Sequence, residues 1–168
     1  MDHKPRVLFL CTQNSARSQM AEAFLRRYGA DHFEAHSAGL EPATINPLTY
    51  QVMQEVGIDL AADGHRSKSL ADEYFKPLVH IGYLITVCSN AEAKCPIYPG
   101  VGAREYWGLV DPAAVEGMEE EKLAKFREIR DQIEARVKQF IAQEAELKGM
   151  QVEHTFQVRP TLIRSTRR

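Results

Sequence analysis

Val7-Leu8-Phe9-Leu10-Cys11-Thr12-Gln13-Asn14-Ser15-Ala16-Arg17-Ser18 is a short apolar run that ends in a cysteine, with an arginine six positions after it. A buried strand that leads through such a loop into a helix is typical of a site for a tetrahedral oxyanion. Backbone N–H groups of the loop and the helix N-terminus converge on the anion, and an arginine binds two of its oxygens. We therefore predict that the oxyanion is bound by the loop residues Thr12, Gln13, Asn14, Ser15, Ala16 and Arg17.

The sequence context of Cys11 favours a catalytic cysteine over an ordinary core residue. A lone cysteine after an apolar strand is usually a small core side chain, but here the sulfur, a polar loop, an arginine and a hydroxyl follow one another. The positive field that attracts an anion is expected to lower the pKa of Cys11 and to hold its sulfur as a nucleophilic thiolate. We expect the hydroxyl of Ser18 both to cap the following helix and to donate to this thiolate.

Strands and helices alternate along the rest of the chain. Hydrophobic patterns predict strands at 6–10, 33–37 and 83–87, a fourth around Tyr106-Trp107, and helices at 18–28 (ended by Gly29), 47–56, 69–75 and 119–148. This alternation predicts an α/β fold with a four-stranded, mainly parallel sheet flanked by helices, in which ligands bind beyond the carboxyl ends of the strands. We expect one catalytic domain, residues 1–148, followed by a basic and mobile tail, residues 149–168.

Composition and charge exclude several classes of protein. The chain has 168 residues, of which 44% are hydrophobic and 26% charged, as expected for a single globular domain. A net charge of −2 gives no reason to expect a nucleic-acid partner. No apolar run approaches the roughly 18–20 residues of a membrane helix, and the N-terminus lacks the features of a signal peptide. We therefore expect a cytoplasmic protein, in which three cysteines are not committed to permanent disulfides.

The other two cysteines, Cys88 and Cys95, follow the predicted third strand. Because parallel strands end on the same side of a sheet, Cys88 is expected near the Cys11 loop. The pair could form a thiol relay, be buried separately, or bind a metal, although the six histidines show no ligand-type spacing with them. If 89–95 is helical, the two cysteines lie about 10 Å apart along the axis. A disulfide needs Cα atoms within roughly 7 Å, so forming it requires the segment to unwind.

Asp111 stands in the stretch Trp107-Gly108-Leu109-Val110-Asp111-Pro112-Ala113. An aspartate before a proline is often only a turn former. Attack of a thiolate on an oxyanion, however, needs an acid that protonates the departing oxygen. A carboxyl group on a loop at the same edge of the sheet could supply that proton, so both roles stay open for Asp111.

These motifs resemble the thioredoxin-coupled arsenate reductases, which are built on the low-molecular-weight protein tyrosine phosphatase fold. The resemblance covers roughly residues 6–145. It is carried by residues 11–22, Ser37-Ala38-Gly39, Asn46-Pro47, Cys88 with Cys95-Pro96, and Trp107-Gly108 with Asp111-Pro112-Ala113. The oxyanion loop is shared with the phosphatases, whereas the downstream cysteine pair is specific to the reductases.

The resemblance implies a cascade of three cysteines. Cys11 attacks arsenate bound by the loop and Arg17, with Ser18 beside the sulfur, and Asp111 protonates the leaving hydroxide. Cys88 then forms a disulfide with Cys11 as arsenite leaves, and Cys95 moves the bond to Cys88–Cys95. Thioredoxin reduces that last disulfide, so the resemblance implies neither a bound cofactor nor a metal. We expect a monomer.

Lys68 departs from the pattern of these reductases. Some of them bind potassium with residues that match Asn14, Glu22 and Ser37, together with an aspartate, and this chain carries Lys68 where that aspartate is expected. We predict that the Lys68 ammonium occupies the cation position and pairs with Glu22, which would make activity indifferent to potassium. A simple solvated lysine is the alternative.

Two other functions compete with this one. A tyrosine phosphatase would share Cys11, Arg17 and Asp111 but would hydrolyse a phospho-cysteine with water. Phosphatases of this fold carry aromatic residues after the Asp-Pro pair, whereas Ala113 and Ala114 follow here, so at most a side activity on aryl phosphates is expected. A non-catalytic redox sensor or phosphate-binding regulator is the third alternative.

Overall fold

Four parallel strands form the central sheet. The computed structural model describes residues 3–76, 79–97 and 100–149. The strands are β1 (Arg6–Cys11), β2 (Glu34–Gly39), β3 (Tyr83–Thr86) and β4 (Ala103–Tyr106), and their order in the sheet is β2-β1-β3-β4. The register pairs Cys11 with Gly39, and it pairs Leu10 with Thr86. The carboxyl ends of β1, β2 and β3 therefore meet at one edge, where the segments after them come together.

The helices follow the strands in turn. They are α1 (Arg17–Gly29), α2 (Pro47–Glu55), α3 (Leu70–Glu73), α4 (Ser89–Lys94) and α5 (Glu119–Leu147), with a short 3-10 helix at Pro112–Ala114. α1 packs against β1, β2 and α5, and α5 also packs against α2. None of the described helices combines the length and the apolarity that a membrane span requires.

β1 is the most deeply buried strand, since Val7, Leu8, Phe9 and Leu10 have no exposed surface. Its sequence is a continuous apolar run, as is typical of a strand with a parallel neighbour on each side and both faces buried. The predicted apolar stripe of α5 is buried at Phe126, Ile129, Ile133, Val137, Phe140 and Ile141, and Leu123 is partly buried against the same core. The rigid centre of the sheet thus carries the loop that follows β1.

The predicted sheet and its flanking helices are confirmed, but several element boundaries are wrong. α1 begins at Arg17 rather than Ser18 and includes Gly29. The helix ends at Gly29 as predicted. A Cβ on Gly29 would lie 2.8 Å from Leu25 Cδ1 and 3.1 Å from Ile141 Cδ1, so this glycine also permits close packing of α1 on α5. Trp107 follows β4 instead of lying within it. The predicted tail falls outside the described residues except for Gly149.

Candidate active site

The loop after β1 forms a cradle around the Cys11 sulfur. Cys11 is buried, and its Sγ accepts the backbone N–H of Asn14 at 3.0 Å. The hydroxyl of Ser18 lies 2.9 Å from the same sulfur. Asn14 has a φ of +53°, a left-handed conformation that asparagine tolerates better than most residues. This conformation turns the loop back on itself so that its amides lie around the sulfur.

The loop carbonyls point away from the cradle. Backbone N–H groups of residues 40–46 donate to the carbonyls of Cys11, Thr12, Gln13 and Ser15 at 2.8–3.1 Å. Because C=O and the next N–H point in opposite directions across a trans peptide, the amides that follow these carbonyls face the sulfur side. A Cβ on Gly39 would lie 2.7 Å from Thr12 O, so only glycine fits beneath the loop. The predicted oxyanion residues therefore form a nest of N–H donors.

One cleft of about 440 Å³ brings most of the predicted site together. Its walls come from the Cys11 loop, from the start of α4, and from the segment before the 3-10 helix, and they include Cys11, Arg17, Cys88 and Asp111. Arg17 Nη1 donates to the carbonyl of Leu109 at 2.9 Å. Its Nη2 lies 3.7 Å from the half-exposed Asp111 carboxylate. Arg17 thus connects the oxyanion loop to the candidate acid.

Asp111 forms the turn that its sequence indicated, and its carboxyl group also lines the cleft. Its Oδ1 accepts the backbone N–H of Ala113 at 3.0 Å and so initiates the 3-10 helix. The other oxygen, Oδ2, is the one that faces Arg17. The turn fixes the carboxyl group at the rim of the cleft, where a departing oxygen of a bound anion would emerge.

The predicted lowering of the Cys11 pKa is wrong. Burial of the thiol raises its pKa, and the hydrogen bonds from Ser18 and Asn14 lower it by less. The contribution of Arg17 is smaller still, which agrees with a guanidinium directed at Leu109 and Asp111. The sequence pattern identified the donors, but it could not show how completely the sulfur is removed from water.

Ser18 does not cap α1. The residue at the cap position is Ala16, whose side chain has no acceptor, and Ser18 is the second residue of the helix. Its hydroxyl instead accepts the side-chain amide of Asn14 at 2.8 Å and contacts the Cys11 sulfur. The predicted contact with the sulfur is therefore confirmed, whereas the predicted cap is wrong because the helix begins one residue earlier.

Cys88 lies directly across the cleft from the Cys11 loop. It is buried, and as the cap of α4 its Sγ accepts the N–H of Ala91 at 3.3 Å. The hydroxyl of Thr12 approaches this sulfur at 3.5 Å, and Asn90 Nδ2 donates to the same hydroxyl at 2.8 Å. This link between Thr12 and Asn90 could not be predicted from sequence, because the two residues are 78 positions apart.

Cys95 occupies the other end of α4, away from the cleft. The segment between the two cysteines is helical over Ser89–Lys94, which meets the condition of the spacing argument, and Cys95 follows it in an extended conformation. The Cys95 thiol is partly exposed, and burial raises its pKa. All three cysteines are free thiols. In the described part of the chain, no group of three or more histidine, cysteine or acidic side chains is arranged to bind a metal.

The predicted pairing of Lys68 with Glu22 is confirmed. Lys68 Nζ lies 3.5 Å from Glu22 Oε2, and both side chains are buried beneath the Cys11 loop. The same ammonium lies 3.4 Å from the hydroxyl of Ser37. Lys68 is therefore not a solvated surface lysine. Sequence reasoning missed His65 and Gln19, which are part of this network.

We expect the catalytic efficiency of the protein to be indifferent to potassium, because the Lys68 ammonium already neutralises the buried Glu22 carboxylate. Replacing sodium chloride by potassium chloride at constant ionic strength should change kcat/KM by less than about twofold, because the two salts then screen the charges of the protein equally. Steady-state kinetics in the two salts measure this. A several-fold rise in potassium would contradict it.

The chain matches known proteins over most of its length. The low molecular weight phosphotyrosine protein phosphatase family matches residues 6–152. An arsenate reductase of Shouchella clausii (strain KSM-K16) is 41% identical over 143 residues, which are 82% of this chain and 95% of that protein.

Two solved structures are also similar. An arsenate reductase in the phosphate binding state superposes with a TM-score of 0.66 at 32% identity, over 83% of this chain and 98% of the other. The Corynebacterium glutamicum thioredoxin-dependent arsenate reductase superposes with a TM-score of 0.63 at 30% identity, over 86% of this chain and 63% of the other.

Proposed function

Since the chain belongs to the low molecular weight phosphotyrosine protein phosphatase family and its similar relatives include arsenate reductases, we propose that it reduces arsenate to arsenite with three cysteines and thioredoxin. The observation that carries this proposal is the position of Cys88. It lies in the same cleft as Cys11, with N–H and O–H donors directed at its sulfur. A phosphatase needs a nucleophile, an arginine and an acid, but no second thiol facing the first.

In the first step, the Cys11 thiolate attacks arsenic in arsenate held by the loop amides and Arg17. A sulfur–arsenic bond forms and an arsenic–oxygen bond breaks. The departing oxygen takes a proton from Asp111, which lies at the rim of the same cleft. Because burial raises the pKa of the free Cys11 thiol, the donors from Asn14 and Ser18 are needed to stabilise the thiolate that attacks.

In the second step, the Cys88 thiolate attacks the Cys11 sulfur. A Cys11–Cys88 disulfide forms, and the electron pair of the sulfur–arsenic bond remains on arsenic, which is thereby reduced from As(V) to As(III) and leaves as arsenite. The N–H of Ala91 and the hydroxyl of Thr12 contact the Cys88 sulfur. These contacts hold the Cys88 sulfur at the wall of the cleft that it shares with Cys11.

In the third step, the Cys95 thiolate attacks Cys88 and releases Cys11 as a thiolate. With α4 formed, the two cysteines lie at opposite ends of the helix, so the helix must open first. Opening breaks the contact between Asn90 and Thr12 and the 3.2 Å contact between Arg104 and Glu92. Thioredoxin then reduces the Cys88–Cys95 disulfide, with Cys95 already half-exposed before the change.

A phosphatase activity is the second candidate, because Cys11, Arg17 and Asp111 share one cleft. Ala113 contributes only a small side chain to that cleft, and none of the described residues that line it is aromatic and could stack on a phosphotyrosine ring. We therefore propose at most slow hydrolysis of aryl phosphates. A monomeric state, a cytoplasmic location and the absence of nucleic-acid, membrane or metal partners stay predictions.

One assay separates the candidates. The protein is supplied with arsenate, thioredoxin, thioredoxin reductase and NADPH, and arsenite and NADPH are measured together. In parallel, phosphate release from p-nitrophenyl phosphate is followed under the same conditions. We expect one NADPH consumed per arsenite over many turnovers, with much slower phosphate release. Rapid phosphate release without arsenite would favour the phosphatase, and neither product would favour the sensor.

A further inference from the structure

A buried ion pair lies beneath the Cys11 loop, and no step of the proposed reaction uses it. The side chain of Glu22 is only 1% exposed, and that of Lys68 is 9% exposed. Charged side chains are almost never buried so deeply unless they are paired. Glu22 also accepts Arg26 Nη2 at 2.7 Å, and its other oxygen lies 3.5 Å from His65 Nδ1. Lys68, Arg66 and Tyr74 are the further titratable side chains of the described residues that interact with this carboxylate.

Glu22 fixes which way the hydroxyl of Ser37 points, and further hydrogen bonds connect Ser37 to Cys11. An ionised carboxylate only accepts, so the hydroxyl of Ser37 donates its proton to Glu22. The Ser37 oxygen then accepts the side-chain amide of Asn14 at 2.9 Å. The same amide nitrogen donates to Ser18 at 2.8 Å, and the hydroxyl of Ser18 ends this series of contacts at the Cys11 sulfur.

The orientation of the Asn14 amide is fixed from its other side as well. Its Oδ1 accepts the backbone N–H of Lys68 at 2.9 Å and the side-chain amide of Gln19 at 3.0 Å. The nitrogen of Asn14 must therefore face Ser18 and Ser37. The hydroxyl of Ser18 accepts one N–H of this amide and contacts the Cys11 sulfur, to which it donates once Cys11 is a thiolate. Asn14 thus donates in two directions, to Ser37 on the Glu22 side and to Ser18 on the Cys11 side.

Lys68 provides the charge that keeps Glu22 in this state. Its Nζ has three oxygen acceptors, Glu22, Ser37 and the carbonyl of Arg66 at 2.9 Å, which match the three N–H bonds of an ammonium. Burial opposes the charge on Glu22, but His65, Lys68, Arg26 and Ser37 together hold the pKa of this carboxyl below its usual value. Without Lys68, a protonated Glu22 would donate to Ser37, and the hydroxyl proton of Ser37 would then be free to turn towards Asn14 and weaken the contact that holds its amide.

We propose that Lys68 is a positioning residue for Cys11: its buried ammonium keeps Glu22 an acceptor for Ser37, the Ser37 oxygen then holds the Asn14 amide, and Asn14 and Ser18 stay in place as donors beside the sulfur. The inference rests on the proposed role of Cys11 as the nucleophile. Its test does not need arsenate, because the reactivity of the thiol itself reports the effect. Arg17 and Cys88 are the other titratable groups that face Cys11.

The experiment measures the rate of Cys11 alkylation by iodoacetamide against pH, by intact mass. Cys88 and Cys95 are replaced by serine, so that Cys11 is the only thiol of the three in the chain. In this background we expect Lys68→Met to raise the pH midpoint of alkylation by about one unit, which slows alkylation at neutral pH about tenfold. The matched control is Lys125→Met, which removes a lysine paired with Glu128 on the surface of α5.

A second variant separates the direction of the hydrogen bond between residue 22 and Ser37 from the charge of the Lys68–Glu22 pair. Lys68→Met combined with Glu22→Gln leaves no unpaired charge at the pair, so it should fold even if the single variant does not. The glutamine amide can donate to Ser37, so the Ser37 hydroxyl proton is no longer held away from Asn14 and the midpoint should again rise. Circular dichroism and thermal unfolding establish that each measured variant is folded.

Chemical rescue identifies the missing ammonium. A cleft of about 400 Å³, lined by Lys68, Glu22, Arg26 and Tyr74, leads to the pair from the surface. Ethylammonium should therefore restore the midpoint in Lys68→Ala, whose side chain leaves space, but not in Lys68→Met. An unchanged midpoint in the folded Lys68 variants would overturn the proposal, even if their stability falls. So would a raised midpoint in Lys68→Ala that no amine lowers. If the Lys68 variants shift the midpoint as expected but the unmodified protein produces no arsenite, only the proposed function is contradicted.

Discussion

The Cys95→Ala variant should stop after a single arsenate, with a disulfide between Cys11 and Cys88. Cys88 faces the Cys11 loop across the cleft, whereas Cys95 lies beyond the far end of α4. Removing Cys95 thus leaves the first two steps intact and blocks only the transfer to the surface. Removing a group that acts as part of a catalytic unit commonly costs 10³-fold or more. We expect a fall of at least about that size in turnover with thioredoxin.

The matched variant is Cys88→Ala, which should also lose turnover but for a different reason. With no thiol to attack the Cys11 sulfur, arsenite is not released and no disulfide forms. Quench experiments with one equivalent of arsenate distinguish the two: about one arsenite per protein for Cys95→Ala, and none for Cys88→Ala. Sustained turnover in either variant would contradict the order of steps, because it would mean that thioredoxin reaches Cys11 or its adduct directly.

The Asp111→Asn variant should slow the first step by about 10²- to 10⁴-fold, the usual contribution of a general acid. Asparagine retains a side-chain oxygen that accepts the N–H of Ala113, so the turn that carries residue 111 is preserved. What is lost is the proton for the departing oxygen. Arsenite formation in a single turnover, measured by rapid quench, reports this step without the later ones.

Asp31→Asn is the control for this experiment, because Asp31 is exposed in the turn after α1 and far along the chain from the loop. We expect it to behave as the unmodified protein does. If Asp111→Asn also kept its full single-turnover rate, Asp111 would be only a turn former. The proton would then have to come from water or from another group that lines the cleft.

The sequence predicted those parts of the site that depend on neighbouring residues. β1, the loop and α1 are contiguous, so a buried strand that ends at Cys11 places the amides and Arg17 in a fixed order. The position of Cys88 also followed, since Leu10 and Thr86 are paired in a parallel register. Parallel pairing and the 3.3 Å rise per residue leave little freedom for the residues that follow two adjacent strands.

Contacts between distant segments could not be predicted in this way. Arg17 donates to a carbonyl 92 positions away, and its direction decides how little it affects the pKa of Cys11. Burial of the sulfur is likewise a property of the whole packed domain. Gly29 illustrates the same limit, because a glycine after a helical pattern predicts the end of the helix, but not that the approach of α5 also requires its small size.

The transfer of one disulfide from Cys11 outward is tested by mapping cysteine pairs in the unmodified protein during a single turnover. Reduced protein is mixed with one equivalent of arsenate, quenched with acid at intervals, alkylated and analysed by peptide mass spectrometry. We expect the Cys11–Cys88 pair to appear with arsenite and then to be replaced by Cys88–Cys95. Arsenite that forms while residues 88 and 95 remain free thiols would contradict the three-cysteine mechanism.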